Sequence, residues 1–366
     1  MYSNDKRIIL TLDAGGTNLV FSAIAGDKEI VTPFGLASSP DNLDHMLDTI
    51  VSGFRKVSES LPSPASAISF AFPGPADYPN GVIGDLPNMP AFRGGIALGP
   101  FLRKKFGIPV FINNDGSLFA LGEAQSGILP EINESLKAAG SPNRYHNLIG
   151  VTFGTGFGAG VVINGEMLSG DNSCGGYVWT NRNKLFPEML CEESVSVRGI
   201  KRAYSELSGD TRPDLTPKDI CEIADGKREG DKAAAAESFR QMGVVAGDVI
   251  AQANMLVDGI VVIGGGLAGA RKHFMPALMK ELRGDSRTFS GEVFPRYSAY
   301  PYDLTDENER IEFFADTSAK VPVPHTDEKA TYNSKRRTAV CLSSLGASKA
   351  IALGAYAFAL SRLDKQ

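Results

Sequence analysis

The sequence predicts an α/β protein built from two related domains. Three observations carry this. Short apolar runs that end in glycine or acid alternate with amphipathic stretches of helical period. The order strand, glycine loop, strand, tight turn, strand occurs twice, about 140 residues apart. And a chain of 366 residues exceeds what a single core usually serves.

The first repeat opens on Ile8-Ile9-Leu10-Thr11-Leu12, an apolar run that ends in an acid and so reads as a strand rather than the core of a signal peptide. Asp13-Ala14-Gly15-Gly16-Thr17-Asn18 links it to a second strand over 19–24. Gly26-Asp27 marks a turn and Glu29-Ile30-Val31 a third strand. A helix follows, with Ser39 as its N-cap and Pro40 at its first position; Leu43, Met46, Leu47, Ile50, Val51 and Phe54 form one apolar stripe. Strands at 68–72 and 109–112 run into Pro73-Gly74-Pro75 and Asn113-Asn114-Asp115. The second repeat sets a strand at 148–153, the loop Gly154-Thr155-Gly156-Phe157-Gly158, a strand at 159–163, the hairpin turn Asn164-Gly165 and a strand at 166–168. An Ala-rich helix over about 231–257 feeds the strand Ile260–Ile263 and then Gly264-Gly265-Gly266; the last helix covers about 344–362. Residues 284–338 show no periodicity and read as an insertion or a long loop.

Composition removes several classes of function. Charged residues make up 22% of the chain and hydrophobic ones 43%, which excludes disorder and coiled coil as whole-chain descriptions. A net charge of −5 argues against a broad nucleic-acid surface. No apolar run reaches the roughly 18 residues of a membrane span. Cys174, Cys191, Cys221 and Cys341 are scattered without CxC or CxxC spacing, so a disulfide framework or a cysteine metal cage is not encoded locally. The expectation is a cytoplasmic protein with reduced thiols.

Glycines in the loop 13–18 let consecutive N–H groups face one point and form an anion nest. Thr17 and Asn18 add neutral donors. Asp13 is an acid where a phosphate would go, which is sensible with Mg²⁺ between them, held through water; the plain alternative is that Asp13 caps its own turn. Gly154-Thr155-Gly156 is a second nest without an acid, suited to direct phosphate contact, and Gly264-Gly265-Gly266 would let a flat ring lie on bare backbone. None has P-loop spacing. Asp115, at the start of a helix, is stabilised as the anion and can serve as a general base, or it can simply cap that helix.

In chain order the motifs are 13–18, Pro73-Gly74-Pro75, Leu86-Pro87-Asn88-Met89-Pro90, Asn114-Asp115, 154–158 and 264–266. This set resembles the ROK (repressor, open reading frame, kinase) family of sugar kinases, within the actin-like, hexokinase-like ATPase superfamily. The resemblance covers about 7–205 and 240–282 and resumes at Ser343-Ser344-Leu345-Gly346-Ala347. It implies two ribonuclease-H-like domains with a cleft between them: 1–117 for sugar and phosphate, completed by the last helix at about 350–366, and 118–349 for the nucleotide, with the insertion at 284–338. It implies ATP and Mg²⁺ as cofactors and a hexose or N-acetylhexosamine as acceptor. Asp115 would accept the sugar proton and Asp13 would position Mg²⁺. Gly74, Asn88 and Asn114 would hold sugar hydroxyls. Gly15, Gly16, Thr17, Asn18, Gly154, Thr155 and Gly156 would hold phosphate, and Gly264, Gly265 and Gly266 adenosine. The family is often homodimeric. Phosphoryl transfer needs positioning and charge neutralisation more than covalent chemistry, and such residues supply both.

The sequence also departs from the family. Many members carry Gly-Glu-x-Gly-His followed by a cysteine cluster that binds zinc. Here the stretch is Gly176-Tyr177-Val178-Trp179-Thr180 and the cluster is absent, so no zinc is expected. The next acid survives as Glu192 in Cys191-Glu192-Glu193-Ser194 and is the candidate for a sugar hydroxyl, or else a solvated helix-start carboxylate. A first strand beginning near residue 7 leaves no room for the helix-turn-helix of the family's repressors, so DNA binding is not expected. Two other readings stand beside the kinase. One is a non-catalytic sugar binder, suggested by the altered 177–190 stretch. The other is a dinucleotide oxidoreductase, suggested by the G-x-G-x-x-G of Gly264, Gly266 and Gly269.

Overall fold

The structure is a computed structural model and describes residues 2–14, 18–74, 76–84 and 90–365. The chain begins with strands β1 (Ile9–Ala14), β2 (Asn18–Ala25), β3 (Lys28–Glu29) and β4 (Phe34–Ala37), then helix α1 (Leu43–Glu59). β5 (Ala67–Ala71), β6 (Ala76–Asp77), β7 (Val82–Ile83), α2 (Leu98–Phe106), β8 (Val110–Asn113), α3 (Asp115–Ser126) and α4 (Ile128–Ala138) follow. Next come β9 (Leu148–Phe153), β10 (Phe157–Ile163), β11 (Glu166–Met167), α5 (Val197–Ser208), α6 (Pro217–Ala224), α7 (Lys232–Val257), β12 (Ile260–Gly264) and α8 (Arg271–Leu282). The last elements are β13 (Asp285–Arg287), β14 (Val293–Pro295), β15 (Tyr300–Asp303), α9 (Glu307–Phe314), β16 (Ala319–Pro322), β17 (Lys329–Tyr332), β18 (Arg337–Leu342) and α10 (Ala347–Leu363).

Two mixed sheets share one strand order. The first runs β3-β2-β1-β5-β8, with β4 also on β2; the second runs β11-β10-β9-β12-β18-β15. In the first, β1, β2 and β3 form an antiparallel meander, while β5 and β8 lie parallel to β1. In the second, β10 and β11 are antiparallel and β12, β18 and β15 extend in parallel from β9. The expected α/β class and the repeated supersecondary unit are both present: each sheet has the ribonuclease-H-like order of the actin-like ATPase fold.

Contacts divide the chain into Met1–Ile128, Gly160–Gly176 and Ser344–Gln366 on one side, and Leu129–Ala159 and Tyr177–Ser343 on the other. This differs from a division at 117/118, because α3 runs on to Ser126 and packs along α10. Their approach is close: a Cβ on Gly122 would sit 1.9 Å from the Ala350 carbonyl oxygen, and one on Gly354 would sit 1.9 Å from that of Leu118. The first unit's core packs aromatic rings together, Phe21 edge-to-face with Phe54 at 5.3 Å and Phe72 tilted against Phe92 at 5.1 Å, with Met46, Ile50, Val51 and Phe54 forming the buried stripe of α1.

Three local expectations need correcting. The N-cap of α1 is Asn42, whose side chain accepts from His45 N–H, and not Ser39. The third strand is Lys28–Glu29, and β4, which was not anticipated, pairs beyond it along β2. Residues 284–338 are not one long loop. They form two hairpins, α9, the start of β18 and β15, which pairs in parallel with β18. The region is tied down by buried Arg337, whose Nη1 donates to the carbonyls of Glu312, Phe313 and Ala315.

Candidate active site

In the first unit, three loops leave one sheet edge. Asp13 on β1 is in register with Ala71 on β5, and Ala71 with Asn113 on β8. Neighbouring strands lie about 4.8 Å apart, so Asp13 and Asn113 are separated by roughly two strand spacings. The carboxyl ends of parallel strands are where open α/β sheets place ligands. Asn18 opens β2, opposite Ala37 on β4. Gly74 lies three residues beyond β5. Gly15, Gly16, Thr17 and Asn88 lie outside the described residues.

Asp115 does not cap α3. Asn114 does: its Oδ1 accepts from Gly116 N–H at 2.9 Å and Ser117 N–H at 3.4 Å. Asp115 is therefore relieved of capping, and its Oδ1 takes a second share of the Gly116 N–H at 2.8 Å. The surrounding protein pushes its carboxyl above the usual carboxylate range, the Gly116 N–H and its own N–H pull it back, and the charge of Asp13 adds a smaller upward push. The side chain still retains substantial solvent access. Asp115 is thus within electrostatic reach of Asp13. A cavity of about 270 Å³ adjoins Asp13, with Thr11, Ser22, Asp27, Glu29 and Lys349 among its lining; Asp115 is not part of it.

In the second unit, the corresponding edge carries glycines. Gly264, at the end of β12, is in register with Thr152 on β9, so the loops after β9 and β12 start side by side. The glycines do different work. A Cβ on Gly265, whose φ is +88°, would sit 2.4 Å from the Phe153 carbonyl oxygen. A Cβ on Gly156 would sit 2.6 Å from Glu192 Oε2. Gly154 and Gly266 instead have nothing within 4 Å of that position, so their backbone is open to a ligand. The G-x-G-x-x-G of Gly264, Gly266 and Gly269 folds largely into a 3₁₀ turn, Gly266–Ala270, ahead of α8, rather than a phosphate loop that opens a helix.

Glu192 closes on the first of these loops. Its Oε2 accepts from Phe157 N–H at 2.9 Å and its Oε1 from Arg198 at 2.7 Å. Sequence reading missed Arg198; only its place six residues beyond Glu192, at the start of a helix, could have suggested the pair.

The stretch that replaces the family's zinc motif is held by hydrogen bonds. Fully buried Asn183 accepts from Leu185 and Phe186 N–H at 3.0 and 3.1 Å and donates to Ser194 Oγ at 2.8 Å. The buried Cys191 thiol donates to the Val178 and Trp179 carbonyls, and burial pushes it up to about 12. Elsewhere, ligand atoms of Cys221, Asp225 and His273 lie within 4.8 Å of one another. Asp225 is already engaged by Lys272, by Lys227 at 3.3 Å and by His273 at 2.7 Å, so a cation there would have to displace two ammonium groups.

The fold is that of the actin-like ATPase superfamily. The ROK family model matches residues 9–287, and the chain belongs to the ROK family. The crystal structure of a glucokinase from Parabacteroides distasonis is 53% identical, covers 99% of both chains and superposes with a TM-score of 0.89. N-acetyl-D-glucosamine kinase of Vibrio cholerae is 27% identical over 318 residues, which is 77% of this chain and 97% of that one. Glucokinase of Thermotoga maritima is 26% identical over 281 residues, 72% of this chain and 84% of that one. No helix among the described residues is long and apolar enough to cross a membrane.

Proposed function

We propose that this ROK-family protein transfers the γ-phosphoryl group of ATP to a hydroxyl of a hexose or N-acetylhexosamine. Sugar kinase is the class its relatives support; the residue roles are the finer proposal. The observation that carries it is Asp115, an acid at a strand-to-helix corner, freed from capping by Asn114 and within electrostatic reach of Asp13.

In this reading Asp115 accepts the hydroxyl proton as the oxygen attacks, and its raised affinity for protons brings it nearer to the working pH. Gly74, Asn88 and Asn114 orient the sugar. Asp13 offers oxygen ligands of the hard kind that suit Mg²⁺ held through water. When bound, Mg²⁺ neutralises charge on the transferring group. Gly15, Gly16, Thr17 and Asn18, with Thr155, Gly156 and the open backbone at Gly154, would receive phosphates. Gly264 to Gly266 would lie against adenosine, with Gly265 shaping the turn and Gly266 exposed. A coupled ADP-release screen over hexoses and N-acetylhexosamines tests this. Release stimulated by at least one of them is expected; release with none, in folded protein, would favour the non-catalytic sugar binder.

We also propose that the 177–191 stretch needs no zinc, because Asn183 and Cys191 already do the cross-linking that a metal would do. Elemental analysis of purified protein should find no stoichiometric zinc, and Asn183→Ala should cost about 1–3 kcal/mol of stability. One zinc per chain would contradict this.

A further inference from the structure

We propose that Arg198 is a positioning residue that, through Glu192, clamps the second glycine loop in the form that receives nucleotide phosphate. The inference rests on the kinase reading for its ligand but on separate geometry for the clamp.

The loop between β9 and β10 is a tight turn of three residues, 154–156. Its one backbone bond within the turn runs from Gly154 N–H to the Gly156 carbonyl at 3.1 Å. It is fastened from outside at both ends. The Gly154 carbonyl accepts from Val197 N–H at 2.8 Å, and Phe157 N–H donates to Glu192. Both fasteners belong to the segment 192–198, which leads into α5 through its cap, Ser196. Gly156 is glycine for the same reason, since a side chain there would push the Glu192 carboxylate off the loop.

Glu192 is held in this place by a second bond on its other oxygen. Arg198 bridges Glu192 Oε1 at 2.7 Å and Glu193 Oε1 at 3.0 Å, so the guanidinium is itself fixed at two points. Glu192 is the more shielded partner, at 18% side-chain exposure against 49% for Arg198. A carboxylate at the mouth of an anion nest would repel phosphate; the guanidinium beside it offsets that charge. The pair therefore does two things: it sets the loop's shape and it weakens the negative charge that Glu192 would otherwise turn on the nest.

This adds a nucleotide-side role to Glu192, which the family resemblance assigns to a sugar hydroxyl, and the two roles move different constants. Arg198→Ala, Arg198→Lys and Glu192→Gln are compared in the full-length chain, with the sugar that wild-type enzyme phosphorylates best. Arg198→Ala is expected to raise KM for MgATP about tenfold, the scale of one lost charge-assisted hydrogen bond. The sugar KM should stay within about twofold, with an unchanged melting temperature and partial rescue by Lys. Hydrogen exchange at the Phe157 amide should accelerate in both Arg198→Ala and Glu192→Gln. A sugar KM that rises while the MgATP KM stays fixed would overturn the proposal, and so would unchanged exchange at Phe157. If wild-type protein phosphorylates no sugar, the kinase reading fails instead, and the exchange measurement still decides the clamp.

Discussion

The two sheets follow the same strand order, yet their corresponding edges carry opposite chemistry. The first presents carboxylates at the ends of its strands, Asp13 in the last two residues of β1 and Asp115 after β8. The second presents glycines, at 154 and 156 after β9 and at 264 to 266 around the end of β12, with Arg198 paired to Glu192 and Glu193 beside the first of these loops. A duplicated topology supplies two equivalent edges, and the residues placed there decide what each can do. Acids suit a metal and a proton; bare backbone suits an anion and a flat ring.

The comparison sharpens at single glycines. Gly265→Ala adds a Cβ 2.4 Å from a carbonyl oxygen at a φ of +88° and should destabilise the fold by about 1–3 kcal/mol, read as a lower melting temperature. Gly266→Ala adds one into open space, so stability should hold and only nucleotide affinity should fall. Equal losses of stability would erase the distinction between packing glycines and ligand-facing glycines.

At the acidic edge the expected effect on stability is smaller and of opposite sign. The folded state raises the proton affinity of Asp115, so the native state binds more protons than the unfolded chain between the ordinary carboxylate pKa and the raised value. The group's contribution to stability is therefore lost as pH rises through that window. Asp115→Asn should leave the melting temperature unchanged or slightly higher at neutral pH, as expected for a residue kept for activity at some cost in stability. A large fall in melting temperature would make Asp115 a structural residue.

Much of this was legible because the informative residues interrupt apolar runs. Asp13, Asn114 and the glycine clusters each stand at the end of a strand of four or more apolar residues, where a polar or bare position has little packing reason to be there. The Asn164-Gly165 turn is present, with φ of +52° and +78°. What escaped reading has physical causes. Ser39 and Asn42 are equally good caps in sequence, and only the helix's actual start chose Asn42. β15 is four residues with a proline inside, too short to show a period, and it exists because β18 offers it a parallel partner. Arg198 went unread because the loop its pair holds lies more than forty residues earlier in the chain. The division of labour among Gly154, Gly156, Gly265 and Gly266 depends on which neighbours crowd each one, and spacing does not encode that.

The central claim is that Asp115 takes the proton from the sugar hydroxyl, and Asp115→Asn tests it most directly when turnover and ATP affinity are measured on the same preparation. The account predicts that kcat falls by about 10²–10⁴-fold, the usual contribution of a positioned base, while calorimetric ATP affinity stays within a few-fold of wild type. In the wild-type enzyme kcat/KM should also rise with pH through a value above the ordinary carboxylate pKa. Near-normal kcat in the variant would contradict the account.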